Sequence, residues 1–419
     1  AIAVMSVIIY HLHSQWLPGG FTGVDIFFVI SGFVVTASLG SHDTESIFSF
    51  IARFYHRRLT RILPALLVVL LATALVYSIL IPRSWLSGLT ERVAFRAFFG
   101  LSNIALQDQS DVYFAPRAEF NPFTQTWSLG VEEQFYVLAP CLIYLHVARS
   151  RRARTSPWEI VLLGLASMAI MALWTKSAPL QAFYSIASRF CELAAGCLWY
   201  LYFWSGRAQS GVAPSRMFDQ FGTATCILGV AAIATTFLCT KMESFPFPWA
   251  LVAVAGAVLL IGFPRGDSRI RSVLARKIPV AIGLRSYSLY LWHWPILVLL
   301  RWTTGLETFF GISAAIALTV LLAEMSYRWI ESPPRRNAYW IKMPPMLAVV
   351  LAISLTTACA FTANFMLNNL NIMGRSTVTR QRTDWYADHS DPMLAEQGFA
   401  CQSQLGYRNL PGVTVPDMV

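Results

Sequence analysis

Apolar runs long enough to cross about 30 Å of hydrocarbon recur along most of the chain. They predict membrane spans near 1–13, 22–40, 64–82, 127–147, 158–175, 185–204, 221–240, 248–263, 279–301, 309–331 and 344–363. The connections alternate in character. One set is strongly basic: Arg53, Arg57, Arg58 and Arg61; then Arg149, Arg151, Arg152 and Arg154; then Arg265, Arg269, Arg271, Arg276 and Lys277; then Arg335, Arg336 and Lys342. The other set (14–21, 176–184, 241–247 and 302–308) is short and poor in positive charge. Cytoplasmic loops retain Lys and Arg. Eleven spans therefore put every basic loop in the cytoplasm and leave 364–419 outside.

The expected fold is all-α: a polytopic transmembrane helix bundle of about 11 spans over 1–363, followed by an extracytoplasmic linker over 364–419. One apolar stretch, 93–106, would break the alternation if it crossed. It follows Arg92, contains Arg96 and ends in Ser102-Asn103, which reads as a re-entrant or interfacial segment on the outer side. The first run is short, as for a chain that begins inside a helix.

Composition excludes a soluble domain: 56% of residues are hydrophobic and 13% charged, with mean hydropathy +0.52. The net charge of +10 is dispersed between spans, which fits topogenic and anionic-lipid signals and argues against nucleic-acid binding. The segment from Asn364 turns polar, with Asp384, Asp388, Asp391 and Glu396, and reads as a linker toward a soluble outer domain. Cys141, Cys191, Cys197, Cys226, Cys239 and Cys359 fall in spans, where packing is their expected role, while Cys401 lies in the outer segment. Neither a metal nor a resident cofactor is expected. Gly266-Asp267-Ser268 spells a serine-esterase nucleophile block, but a short basic loop gives it no strand to sit on.

Ionisable residues inside the apolar runs carry the chemistry, because charge in a bilayer is retained only where it is needed. His11, Asp25, Glu132, Arg189, Glu192 and His293 are expected to converge at similar depth from five spans. Arg189 and Glu192, three residues apart, read equally as a structural ion pair. Glu132 lies four residues from both Ser128 and Tyr136, which turns it inward, whereas Glu133 could face headgroups. Ser286, Tyr290 and His293 share one helical face, yet Trp292-His293-Trp294-Pro295 also reads as an interfacial aromatic belt. His13, near Trp16 and Pro18, reads as interfacial. His11 is either a packing residue or an imidazole oriented by an acid such as Asp25. At the basic end, Arg53, Arg57 and Arg61 recur every four residues. That stripe is either a topology anchor or a clamp for a phosphorylated donor such as a coenzyme A thioester.

These stretches together resemble the acyltransferase 3 family, in the bacterial subgroup with a periplasmic SGNH domain. The matching blocks are Tyr10-His11-Leu12, Pro18-Gly19-Gly20-Phe21, Gly23 to Phe33, Arg57 to Pro64, Leu101-Ser102-Asn103, Thr126 to Tyr136, Arg189 to Leu193, Ser286 to Pro295 and Glu331-Ser332-Pro333. The resemblance implies a bacterial inner-membrane O-acyltransferase. Such an enzyme would move an acyl group, usually acetyl, from acyl-coenzyme A to a hydroxyl of an envelope glycan or lipid-linked sugar: lipopolysaccharide, exopolysaccharide or peptidoglycan. It implies that His11 is the catalytic histidine and that Arg57, Arg58 and Arg61 serve the donor. Asp25, Glu132 and His293 join His11 as candidate catalytic groups, with Ser128, Glu133, Arg189, Glu192 and Tyr290 as supporting polar residues. The family's arginine ahead of the histidine would precede Ala1, and its SGNH nucleophile block is not reached by Val419. The competing reading of the residues is a transporter or flippase of an acyl or lipid-linked species, with the polar cluster as a proton relay.

Overall fold

A segment leaving water must satisfy its own backbone N–H and C=O groups, so each apolar run is helical. The computed structural model of the chain describes residues 1–40, 46–81, 88–107, 120–150, 156–204, 216–262, 269–306, 308–337 and 342–369, with 340, 373 and 374. The proposed linker beyond 374, Cys401 and the Gly266-Asp267-Ser268 block lie outside the described residues.

In chain order the helices are α1 (Ile2–Leu12), α2 (Gly23–Gly40), α3 (Ile47–Leu80), α4 (Gly88–Phe98), α5 (Ser102–Gln107), α6 (Thr126–Ser150), α7 (Trp158–Ser177), α8 (Pro179–Tyr184) and α9 (Ile186–Trp199). They continue with α10 (Arg216–Cys239), α11 (Trp249–Gly262), α12 (Arg269–Leu274), α13 (Lys277–Leu284), α14 (Ser286–Trp302), α15 (Phe309–Ser326), α16 (Ser332–Arg336) and α17 (Pro345–Asn368). No strand occurs among the described residues. A helix lies on every one of the expected runs. Five described segments are by themselves long and apolar enough to cross a membrane: 20–39, α3, α7, 309–335 and α17. The chain is an all-α membrane protein.

Three boundaries differ from expectation. The basic stretch before the third run is not a loop: α3 runs unbroken for 34 residues from its cap at Ser46, whose hydroxyl accepts from Ser49 N. At 1.5 Å per residue it is about 51 Å long. No glycine interrupts it, and Pro64 removes only one backbone bond. The ninth run is divided at Arg285 into α13 and α14. The 93–106 stretch is two short helices, α4 and α5, turned on Gly100, whose φ of 66° suits glycine. At 11 and 6 residues, neither is long enough to cross a bilayer.

At the centre, α2 packs against α1, α6, α9 and α11. Its contact with α9 is backbone to backbone. A Cβ on Gly32 would stand 2.0 Å from Leu193 O, and one on Gly196 would stand 2.0 Å from Val29 O. Small residues at such crossings are how membrane helices approach closely when no hydrophobic effect drives them together.

Candidate active site

The residues expected at one depth separate into three groups. The first is fully enclosed. The Arg189 guanidinium lies 2.5 Å from Asp25 Oδ1 and 2.9 Å from Glu192 Oε1, and all three side chains have at most 1% exposure. The rings of Phe245, Phe28, Trp127 and Phe183 surround the guanidinium carbon at 5.0, 5.7, 5.9 and 5.9 Å. Asp25 Oδ1 is thus engaged by Arg189, while its Oδ2 has no hydrogen-bond partner among the described residues. The expected pairing of Asp25 with His11 is not formed among the described residues. The triad ties α2 to α9 at the crossing that Gly32 and Gly196 permit.

The second group lines a cavity of about 500 Å³. Arg58 and Arg61 of α3 stand on one side, Ser31 of α2 with Glu132 and Tyr136 of α6 on another, and Ser128 and Tyr290 further along α6 and α14. Ile30, Val34, Ile233, Leu260 and Ile261 make a facing aliphatic wall. Arg57 is turned away, exposed, with Nη2 donating to Ser38 O at 3.2 Å. Arg58 and Arg61 therefore share one cavity, and Arg57, although part of the every-fourth-residue stripe, does not line it. Arg58 Nη2 is buried and has no hydrogen-bond partner among the described residues. Ser31 Oγ and Tyr136 Oη both reach Glu132 Oε2, at 3.1 and 2.5 Å. Glu133, the neighbouring acid, faces a separate 180 Å³ cavity beside Phe98, Phe99 and Gly100.

Tyr290 joins this cavity to the third group. Its hydroxyl is 2.8 Å from Gln125 O and 2.7 Å from Ser128 Oγ. A carbonyl only accepts, so Tyr290 donates to Gln125 and Ser128 donates to Tyr290. The Tyr290 carbonyl lies 2.6 Å from His293 Nδ1. By the same logic Nδ1 carries the proton, and Nε2 keeps its lone pair. That nitrogen is buried with no hydrogen-bond partner among the described residues. The His293 ring centre is 5.6 Å from that of His11, which stands edge-on to Trp294 at 4.5 Å. Arg301 Nη2 fixes the end of α1 by donating to His11 O at 2.6 Å. No side-chain hydrogen bond holds the His11 ring among the described residues. His13 stacks on exposed Trp16 at 5.2 Å.

Residues 1–365 match the family described as "Acyltransferase domain", acyltransferase 3. The chain belongs to the acyltransferase 3 family. Among its curated relatives, the peptidoglycan O-acetyltransferase OatA of Listeria monocytogenes is 30% identical over 347 residues, covering 81% of this chain and 55% of the relative. The O-acetyltransferase OatA of Staphylococcus aureus is 32% identical over 349 residues, 81% of this chain and 56% of that protein. The putative peptidoglycan O-acetyltransferase YrhL of Bacillus subtilis is 30% identical over 345 residues, at 81% and 54% coverage. The chain thus spans about half the length of these relatives. No solved structure matches.

Sequence reasoning does not single out several groups of this acyltransferase 3 chain. Ser31 is hidden in the glycine-rich motif around it. Gln125 and Arg301 act on backbone carbonyls, and such roles leave no spacing signal. Glu331, 1% exposed, binds Ser288 Oγ at 2.6 Å and Arg335 Nη2 at 2.5 Å on a π-helical turn over Tyr327–Glu331. The Leu101-Ser102-Asn103 block serves packing. Asn103 Nδ2 donates to Tyr184 O at 3.0 Å, and Gln134 Nε2 donates to Asn103 Oδ1 at 2.9 Å.

Proposed function

We propose that this chain is the membrane-embedded part of an O-acyltransferase that moves an acyl group, acetyl foremost, from acyl-coenzyme A to a hydroxyl of a cell-envelope glycan. The observation that carries the reading is the continuity of the site. A cavity with two arginines leads, through Tyr290, to the buried His293 imidazole and the half-buried His11 beside it. The family membership and the O-acetyltransferase names of the relatives support the same class of reaction, and peptidoglycan is the acceptor those names favour.

In this reading eleven helices cross the bacterial cytoplasmic membrane with Arg58 and Arg61 at the cytoplasmic end. The donor's phosphates dock on these two arginines, whose forks match phosphate oxygens. The pantetheine arm follows the cavity, and the thioester lies toward Ser128 and Tyr290. The acceptor hydroxyl approaches from the other side, beside His11 and His293. An imidazole takes the hydroxyl proton as the oxygen attacks the thioester carbon. The C–O bond forms, the C–S bond breaks, and the proton is returned to the departing thiolate. Positioned base catalysis of this kind contributes about 10²–10⁴-fold. His11 serves as the base of the pair, its ring held by packing against Trp294 and by no side-chain hydrogen bond among the described residues, and His293 stands beside it with Nε2 able to accept a proton.

The test is mass analysis of envelope glycans from cells that express His11→Ala. Acylation is expected to fall to background while the protein still inserts and accumulates. Normal acylation by His11→Ala would remove His11 from the chemistry and pass the role to His293. Movement of a substrate without any acylated product would favour a transporter instead.

A further inference from the structure

Tyr136 lies on the wall of the 500 Å³ cavity, held by several partners. Its hydroxyl is held at 2.5 Å by Glu132 Oε2 and at 2.9 Å by Ser31 Oγ. A carboxylate only accepts, so Glu132 takes the single protons of both the Tyr136 phenol and the Ser31 hydroxyl, and the 2.9 Å approach of those two oxygens is a close contact between α2 and α6 with no proton of its own. The backbone of Tyr136 is held as well. Pro140 sits four residues on and has no N–H to offer the Tyr136 carbonyl. Tyr55 of α3 supplies the missing donor, with its hydroxyl 3.1 Å from Tyr136 O. Ring, hydroxyl and carbonyl are thus fixed from three helices before any ligand arrives.

The Arg58 guanidinium rests on this fixed ring. Its carbon lies 4.6 Å from the centre of Tyr136 and 5.8 Å from that of Phe54. The aromatic face attracts the cation without using any of its N–H donors. Nη2 has no hydrogen-bond partner among the described residues in spite of its burial, although buried donors are nearly always satisfied. A flexible arginine normally gives up rotamer freedom when it grips an anion. Holding it on a ring beforehand moves that loss out of the binding step.

We propose that Tyr136 is a positioning residue for the donor site. Its ring, held by Ser31 and Glu132, keeps the Arg58 guanidinium in place on the cavity wall, ready for a phosphate oxygen of the donor. This rests on the coenzyme A thioester reading above and deepens it. It gives Glu132 a positioning role in place of proton transfer, because the acid's Oε2 is already committed to Tyr136 and Ser31.

The experiment is a double-mutant cycle on the dissociation constant for acetyl-coenzyme A, with the protein in lipid nanodiscs. Arg58→Ala is expected to weaken binding by about tenfold or more, the order of one charge-assisted hydrogen bond. Tyr136→Leu is expected to weaken it severalfold, and Tyr136→Phe, which keeps the ring, less than Tyr136→Leu. In the Arg58→Ala background the Tyr136 substitutions are expected to have no further effect, because coupled residues are not additive. Additive losses, or a Tyr136→Leu protein that binds normally while Arg58→Ala does not, would overturn the positioning role alone. Unchanged binding by Arg58→Ala would instead overturn the donor reading on which it rests. Should Tyr136→Leu fail to fold, Ser31→Ala replaces it in the same cycle: a loss that vanishes in the Arg58→Ala background supports the positioning role, and an additive loss overturns it.

Discussion

A proline inside a membrane helix leaves one carbonyl without its donor, and two such carbonyls here are answered by residues at the candidate site. Pro140 frees Tyr136 O, which Tyr55 satisfies, and Pro295 frees Leu291 O, which lies 3.4 Å from Gln125 Nε2. In hydrocarbon an unsatisfied carbonyl costs several kcal/mol, so these donors are tied to the prolines. They pin α3 to α6 and the approach to α6 to α14. The same scale separates the arginines. Arg58 lines the cavity, whereas Arg57 is exposed and bonded to Ser38 O. On the proposed donor reading, Arg58→Ala is therefore expected to raise the KM for acyl-coenzyme A by about tenfold or more, and Arg57→Ala by about fivefold at most, since an exposed arginine contributes about 0–1 kcal/mol. Initial-rate assays over a donor range check this. Equal effects from both substitutions would return the basic segment to the role of a topology anchor.

At the scale of elements, the crossing of α2 and α9 is the joint on which the site depends. α2 carries Ser31 on its cavity side and Asp25 on its α9 side. The glycine pair lets the two backbones touch, and the Asp25–Arg189–Glu192 triad locks the result. Removing one partner from such a buried set costs about 3–5 kcal/mol, because the others are left uncompensated. A milder probe is Gly196→Ala, whose new Cβ would sit 2.0 Å from Val29 O. Overpacking of this kind costs about 1–3 kcal/mol, so thermal unfolding in detergent is expected to shift down by several degrees. An unchanged midpoint would mean that α2 and α9 do not pack at this distance.

The whole molecule divides into an arginine end and a histidine end, and Tyr290 lies between them. If eleven helices cross, the α4–α5 turn and the start of α6 belong on the side opposite Arg58. Single cysteines introduced at Gln107 and Phe120 are then expected to react with a membrane-impermeant maleimide added outside intact cells. A cysteine at Arg53 is expected to react only after permeabilisation. Gln107 and Phe120 protected from outside would mean that α4 and α5 lie on the cytoplasmic side, and the crossing count would change.

The sequence by itself determined where the helices lie, because hydrocarbon forces apolar runs into helices and the runs are long. It determined the family as well, since ordered blocks such as Thr126 to Tyr136 survive as patterns. It also identified most of the polar side chains that matter, because ionisable groups stand out in an apolar background. Only the tertiary structure decided how they group. Asp25, Glu132 and His11 are all near helix starts or ends, but rotation about each helix axis sends Asp25 to Arg189, Glu132 to the arginine cavity and His11 to His293. A spacing rule reads one helix at a time and has no access to the rotation of its neighbour. Ser31, Gln125 and Tyr55 show the same limit: each acts on an atom of another helix, and that atom enters reach only when the bundle closes.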